Sequence, residues 1–182
     1  MKNLSRPFFS LCICFLPFLA FAQQNSAREI GLKINSLDNL DLAFLYKKQV
    51  GDQTYRRFDL GVTNFTLANI GDGGAGNLFL AFSIAREKRR PVNDKLRFVT
   101  GTGWIVNVSA LGSGDFNATT IDTGIGLLFG AHYTLSDKFY IGAEITPTIT
   151  LGGTFGDNGF QNLNLRGQFN SQSVQLSIVH RF

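Results

Sequence analysis

From Arg28 to Phe182, apolar and polar residues alternate with a period of two, the pattern of strands whose two faces meet different surroundings. Eight segments carry it: 28–35, 40–49, 54–66, 77–88, 95–109, 119–134, 138–151 and 171–182, punctuated by Gly, Asn and Asp. No stretch with a helical period of 3.6 competes with them. In the sixth segment Ile121, Ile125, Leu127, Phe129 and Tyr133 share one parity, while Asp122, Gly124, Gly126, Gly130 and His132 share the other. In the seventh, Phe139, Ile141, Ala143, Ile145 and Ile149 alternate with Tyr140, Gly142, Glu144, Thr146, Thr148 and Thr150. The eighth sets Val174, Leu176, Ile178 and Phe182 against Ser173, Gln175, Ser177 and Arg181.

Alternation alone does not name the solvent, because soluble sandwiches and barrels alternate too. The polar face decides. A water-exposed exterior is crowded with Lys and Glu, whereas this face is mostly Gly, Thr and Ser, the residues of a narrow lumen. With the apolar face turned to lipid, the expected fold is all-β: an eight-stranded antiparallel up-and-down transmembrane barrel, closed so that no strand edge is left unpaired in the bilayer. A barrel of eight strands has an interior just wide enough for side chains to fill.

Connection lengths predict an orientation. The links at 50–53, 89–94 and 135–137 are short, and those at 67–76, 110–118 and 152–170 are long, with the link at 35–39 an exception. Short periplasmic turns and long outer loops are the rule for such barrels. Tyr46, Phe58, Phe98, Tyr133, Phe139 and Phe182 lie on the apolar parity at the short-turn end, where an interfacial aromatic girdle is expected.

Composition fits a membrane without a membrane helix. The 182 residues are 44% hydrophobic and 16% charged, with 20 Gly and 18 Phe, and the mean hydropathy is +0.06. That excludes a disordered chain, and after residue 22 no apolar run reaches helix-spanning length. Residues 1–22 hold Lys2 and Arg6, an apolar stretch from Pro7, then Ala20-Phe21-Ala22 before Gln23-Gln24. This is the order of a secretory signal peptide cleaved after Ala22, leaving residues 23–182 as the barrel domain. Leu11 and Ile13 precede Cys12 and Cys14, which excludes a lipoprotein signal. Both cysteines leave with the leader, so disulfides and thiolate metal sites are not expected. Without Lys2 and Arg6 the net charge falls from +4 to +2, too little for nucleic acid binding.

Together these residues resemble a known family. The Ala-Phe-Ala-Gln-Gln leader end, the Tyr46-Lys47-Lys48 strand end leading to Tyr55-Arg56-Arg57, and the final strand closing on Phe182 are similar to small outer-membrane β-barrel proteins of the OmpA/OmpX-like type. The Bacteroidota-style outer membrane protein beta-barrel family is the nearest in flavour. The resemblance implies a Gram-negative cell outer membrane. It also implies that Val174, Leu176, Ile178 and Phe182 form the signal read by the barrel-assembly machinery, with His180 departing from the pattern. The chain ends with the barrel, so no peptidoglycan-binding domain is expected.

Candidate chemistry sits on the lumen parity. Lys33, Arg57, Asp59, Arg97, Asp122, Glu144 and Arg181 are charges that a lipid-surrounded interior must pair or hydrate. They read as an ion network plugging the lumen, with a gate or narrow ion path as the alternative. His132 and Glu144 invite comparison with outer-membrane lipid A deacylases, small barrels that use a His, Ser and Glu set. Thr134, not Ser, stands two residues after His132, and a turn near Ser136 would pair His132 near Tyr140 and leave Glu144 roughly 13 Å away. A hydrolase is therefore not expected. Gly71 to Gly76 lacks the Gly-Lys-Ser/Thr of a phosphate loop and reads as a flexible outer loop. The triplets at Asn64, Asn107 and Asn117 read as chance matches to a glycosylation signal. Lys47, Lys48, Arg56, Arg57, Lys88, Arg89 and Arg90 gather at the short-turn end, as a basic rim beside anionic headgroups or as ordinary turn solubility.

The expected protein is a monomer in contact with outer-membrane lipids, structural or surface-interacting, with no catalytic, cofactor or metal site. A narrow porin-like pore for small solutes is the competing function. Leu128, Phe79 and Phe65, read on the inner parity, favour a packed lumen.

Overall fold

The structure, a computed structural model, describes residues 26–36, 41–68, 75–113, 116–169 and 174–182; the leader at residues 1–22 lies outside them. Ten strand segments follow in order: β1 (Arg28–Ser36), β2 (Asp41–Gly51), β3 (Thr54–Ala68), β4 (Ala75–Pro91), β5 (Leu96–Ser113), β6 (Phe116–Thr134), β7 (Phe139–Ile145), β8 (Thr148–Gly156), β9 (Gly159–Gln168) and β10 (Val174–Arg181). Each pairs antiparallel with its chain neighbour from β1 to β7. β7 then pairs with β10, and β10 returns to β1, which closes a ring of eight. β8 continues β7 along β6, and β9 pairs with β8. No described helix is long and apolar enough to cross a membrane, which says nothing against crossing by strands.

The period of two becomes an inside and an outside. In β7, Tyr140, Gly142 and Glu144 are buried, while Phe139, Ile141, Ala143 and Ile145 are exposed. Leu32, Phe44, Leu60, Phe82, Ile125, Leu127, Phe129 and Ile178 all stand exposed on the outer wall. A soluble protein rarely exposes contiguous apolar surface on this scale, and lipid is the solvent that suits it. Leu45, Tyr140 and Val179 form a small buried cluster inside.

Two of the three links expected as long outer loops are largely strand instead, and the third is strand at both of its described ends. β5 and β6 run on until Ser113 faces Phe116, so the link at 110–118 is nearly all ladder. β3 and β4 extend to Ala68 and Ala75, and the glycine-rich stretch at 69–74 falls outside the described residues. The stretch 152–170, expected as one loop, folds into the β8–β9 hairpin around Asp157-Asn158. Gly159, at φ 92°, takes the left-handed conformation that lets the chain re-enter the ladder. The Asp-Asn-Gly triplet was the legible signal for this turn.

β4, β5 and β6 have 17, 18 and 19 residues, against the roughly 9–11 that span a bilayer. The excess builds a sheet beyond the ring, ordered β3–β4–β5–β6–β8–β9. Past Gly61, β3 pairs only with β4, and β9 pairs only with β8, so this sheet has two open edges among the described residues. Pro147 marks where ring passes into extension: its carbonyl accepts from the Leu127 N–H at 3.0 Å, and proline has no N–H to return. The opposite end has compact turns at 52–53, 92–95 and 135–138. Near it Tyr46, Phe58, Phe98, Tyr133 and Phe139 share the outer face, with the Tyr46 and Phe58 rings 6.1 Å apart. A bulge between Val62 and Asn64 shifts β3 by one residue, so that Phe65 pairs with Leu78, and the side chain of Phe65 lies outside what the structure describes. Leu128 is buried and Phe79 half-buried.

Candidate functional site

Inside the short-turn half, charged side chains fill the bore. Lys33 Nζ donates to Asp59 at 2.7 Å, and Arg57 Nε donates to the same carboxylate at 2.9 Å. Arg57 also reaches Glu144 on the opposite wall. Lys47 Nζ lies 2.7 Å from Glu87 and 3.7 Å from Glu144. Arg89 donates to Glu87 through Nε at 2.6 Å and grips Glu29 with both terminal nitrogens at 2.7 and 2.6 Å. The Tyr140 hydroxyl donates to Glu29 at 2.7 Å, and the Arg89 guanidinium lies over the Tyr55 ring at 3.6 Å.

The charges balance. Glu29, Asp59, Glu87 and Glu144 face Lys33, Lys47, Arg57 and Arg89, four acids and four bases, all buried. Burying any one alone would cost several kcal/mol, and mutual pairing with hydrogen bonds is what makes the set tolerable. Fork-shaped Arg89 and Arg57 suit this, since each satisfies two carboxylates. Room comes from missing side chains nearby: a Cβ on Gly142 would stand 2.5 Å from Ser177 Oγ and 3.0 Å from the His132 ring.

The seven lumen charges named from sequence do not all meet. Lys33, Arg57, Asp59 and Glu144 join directly. Arg181 stands at the margin, 3.5 Å from Glu29 and over the Tyr140 ring at 4.6 Å. Arg97 makes no ion pair among the described residues, and Asp122 lies apart toward the extended end, its buried Oδ1 without a hydrogen-bond partner. Glu29, Lys47, Glu87, Arg89 and Tyr140 were missed. Lys47, Arg57 and Arg89, counted in a basic rim, are 0%, 2% and 1% exposed and belong to the lumen. Parity held the signal: Glu29 shares a face with Lys33, Lys47 with Ala43 and Leu45, and Glu87-x-Arg89 repeats the opposite-charge spacing of Arg57-x-Asp59.

The expected separation of His132 from Glu144 is also corrected. The β6–β7 register pairs His132 with Gly142, two residues beyond the expected Tyr140, and so centres the turn one residue past Ser136. His132 Nε2 consequently sits 3.0 Å from Glu144 Oε1. Glu144 takes Nε2, and no described hydroxyl is hydrogen-bonded to the other ring nitrogen as the nucleophile of a charge relay would be. His132 Nδ1, Thr134 Oγ1 and Ser177 Oγ have no hydrogen-bond partner, and His132 is fully buried. Glu87, His132 and Glu144 offer three ligand atoms within 4.8 Å of one another, a spacing that suits a metal ion. The Lys47 ammonium already supplies the positive charge between these two carboxylates.

On the outer wall, Val174, Leu176, Ile178 and Phe182 are all exposed, and His180 packs edge-on between Phe139 and Phe182 at 4.7 and 4.6 Å.

No protein-family profile and no curated relative matches the sequence. Among solved structures, the N-terminal β-barrel domain of Pseudomonas aeruginosa OprF matches at TM-score 0.54 and 14% identity, over 87% of this chain and 98% of that one. Neisserial surface protein A (NspA) matches at 0.48 and 10%, over 86% and 92%. Ail, the attachment invasion locus protein of Yersinia pestis, matches at 0.45 and 11%, over 86% and 97%. With the ring closed at eight antiparallel strands and the OprF domain matched nearly end to end, the chain has the fold of a small outer-membrane β-barrel of the OmpA/OmpX-like type.

Proposed function

We propose that this protein is exported, inserts in the outer membrane as a monomer, and acts there as a non-enzymatic structural or surface-interaction protein. One observation carries the reading. Arg57 and Glu144 pair across the lumen, inside a neutral network that leaves the short-turn half no open bore. A plug of this kind works against a solute pore, and it lends the ring stiffness from which the long sheet projects. In this reading the compact turns face the periplasm and the β8–β9 hairpin faces the medium. Phe182 and the outward residues of β10 engage the assembly machinery.

Single cysteines test the orientation, because the mature chain has none of its own. Asn158→Cys should react with a membrane-impermeant maleimide on intact cells, and Asp137→Cys only after permeabilisation. The opposite pattern would invert the barrel. Failure of the refolded protein to shift in gel mobility on boiling would remove the membrane barrel altogether, and a steady conductance from the wild type would favour the pore.

A further inference from the structure

The outward cations near the short-turn end are not scattered. Cross-strand register places Lys48 opposite Arg56, and Arg56 opposite Arg86, with Thr102 next in line. Lys88 and Arg90 follow on the same face of β4, opposite Thr54 and Phe98. Like charges directly opposite on a sheet destabilise it. No acid relieves them: the described outward positions of β2 to β5 hold no Asp or Glu, and Lys48, Arg56, Arg86, Lys88 and Arg90 make no ion pair among the described residues.

The adjoining row, two residues toward the extended end, is wholly apolar or aromatic. Tyr46, Phe58, Ile84, Trp104 and Ile125 face one another in sequence across five strands. A cationic row directly against an apolar row is the profile of a headgroup meeting its acyl chains. A groove of about 580 Å³ crosses this boundary, lined by Arg56, Arg86, Thr102, Ile84, Trp104 and Ile125 among others. The Trp104 ring on its wall is held by an Nε1–H bond to Thr123 Oγ1 at 2.8 Å.

We infer that this groove is a binding site for an anionic glycerophospholipid, with its phosphate between Arg56 and Arg86 and an acyl chain along Ile84, Trp104 and Ile125. Two guanidinium groups fit a phosphate better than ammonium groups would, because each presents a planar fork of donors. The charge supplied by the lipid removes the repulsion that the sequence leaves unrelieved. The inference rests on the orientation proposed above, in which this end lies at the periplasmic leaflet.

Trp104 is the single tryptophan, so its fluorescence reports the groove alone. The protein is refolded into bilayers in which a minor fraction of either phosphatidylglycerol or phosphatidylcholine carries brominated acyl chains. Brominated phosphatidylglycerol should quench Trp104 with an apparent affinity roughly 30-fold higher, the contribution of two arginines beside an anionic lipid. Arg56→Gln with Arg86→Gln should abolish the preference, and Lys88→Gln with Arg90→Gln, equal in net charge, should keep most of it. Equal quenching by both lipids in the wild type overturns the site without reference to any variant. Equal loss in both double variants overturns it in favour of a diffuse charge effect. Preference for lipid A over phosphatidylglycerol, assayed the same way, overturns the choice of leaflet, and the cysteine labelling then shows separately whether the orientation itself fails.

Discussion

Arg57 and Glu144 stand on strands diametrically opposite in the ring, β3 and β7, and their side chains are hydrogen-bonded. Three strands lie between them in either direction. Contact between them bridges the lumen at that level, and it couples walls that share no backbone hydrogen bond.

Neutralising one partner leaves the other buried without compensation. Arg57→Gln or Glu144→Gln should lower stability by about 3–5 kcal/mol, and Arg57→Met combined with Glu144→Leu should lose less than either alone. Urea titration of the refolded barrel, followed by the boiling-dependent gel shift, measures both. A double variant as damaged as the sum of the singles would mean that the two residues act independently.

The same network governs conduction. Wild-type protein should show no steady current in a planar bilayer, and Arg57→Ala with Arg89→Ala should produce discrete conductance steps. A closed double variant would mean that Leu45, Tyr140 and Val179 suffice to block the lumen.

Close approach of strands predicts two very different glycines. A Cβ on Gly124 would fall 2.0 Å from the Ile149 carbonyl oxygen, whereas one on Gly167 would meet nothing within 4 Å. Gly124→Ala should sharply reduce refolding yield, and Gly167→Ala should stay within about 0.5 kcal/mol of wild type. Comparable yields would show that β6 and β8 separate more easily than their register implies.

Gly159 tests the outer hairpin by itself. Gly159→Ala places a Cβ on a residue at φ 92°, at a cost of about 1–2 kcal/mol. Hydrogen exchange should rise in β8 and β9 while the ring amides keep their protection. Uniform loss of protection would instead make the hairpin part of one cooperative unit with the ring.

Much of the barrel was legible because strand geometry converts a period of two directly into faces. Ile141, Ile145, Leu176 and Ile178 could be placed outside, and Glu144 inside, from spacing alone. The candidate site was only half legible. Lys33, Arg57, Asp59 and Glu144 shared an evident inner parity, but Lys47 and Arg89 lay beside outward Lys48 and Arg90 in basic runs that concealed their alternation. Loops and strand extensions also look alike where Gly and Asn dominate, which is why 152–170 read as a loop.

The sequence by itself determined the alternation, and with it an apolar exterior, a small and polar interior, and a chain without a spanning helix. Alternation is a property of each strand alone and needs no partner. Register and closure belong to the tertiary structure. Only the β6–β7 register brought His132 to Glu144, only ring closure set Arg57 against Glu144, and only the aligned rows of β2 to β5 showed that Lys48, Arg56 and Arg86 stand side by side with no acid between them. A slip of one residue in any of these pairings would turn the same side chains to the other face, so the spacing of charges along the chain cannot specify which of them meet.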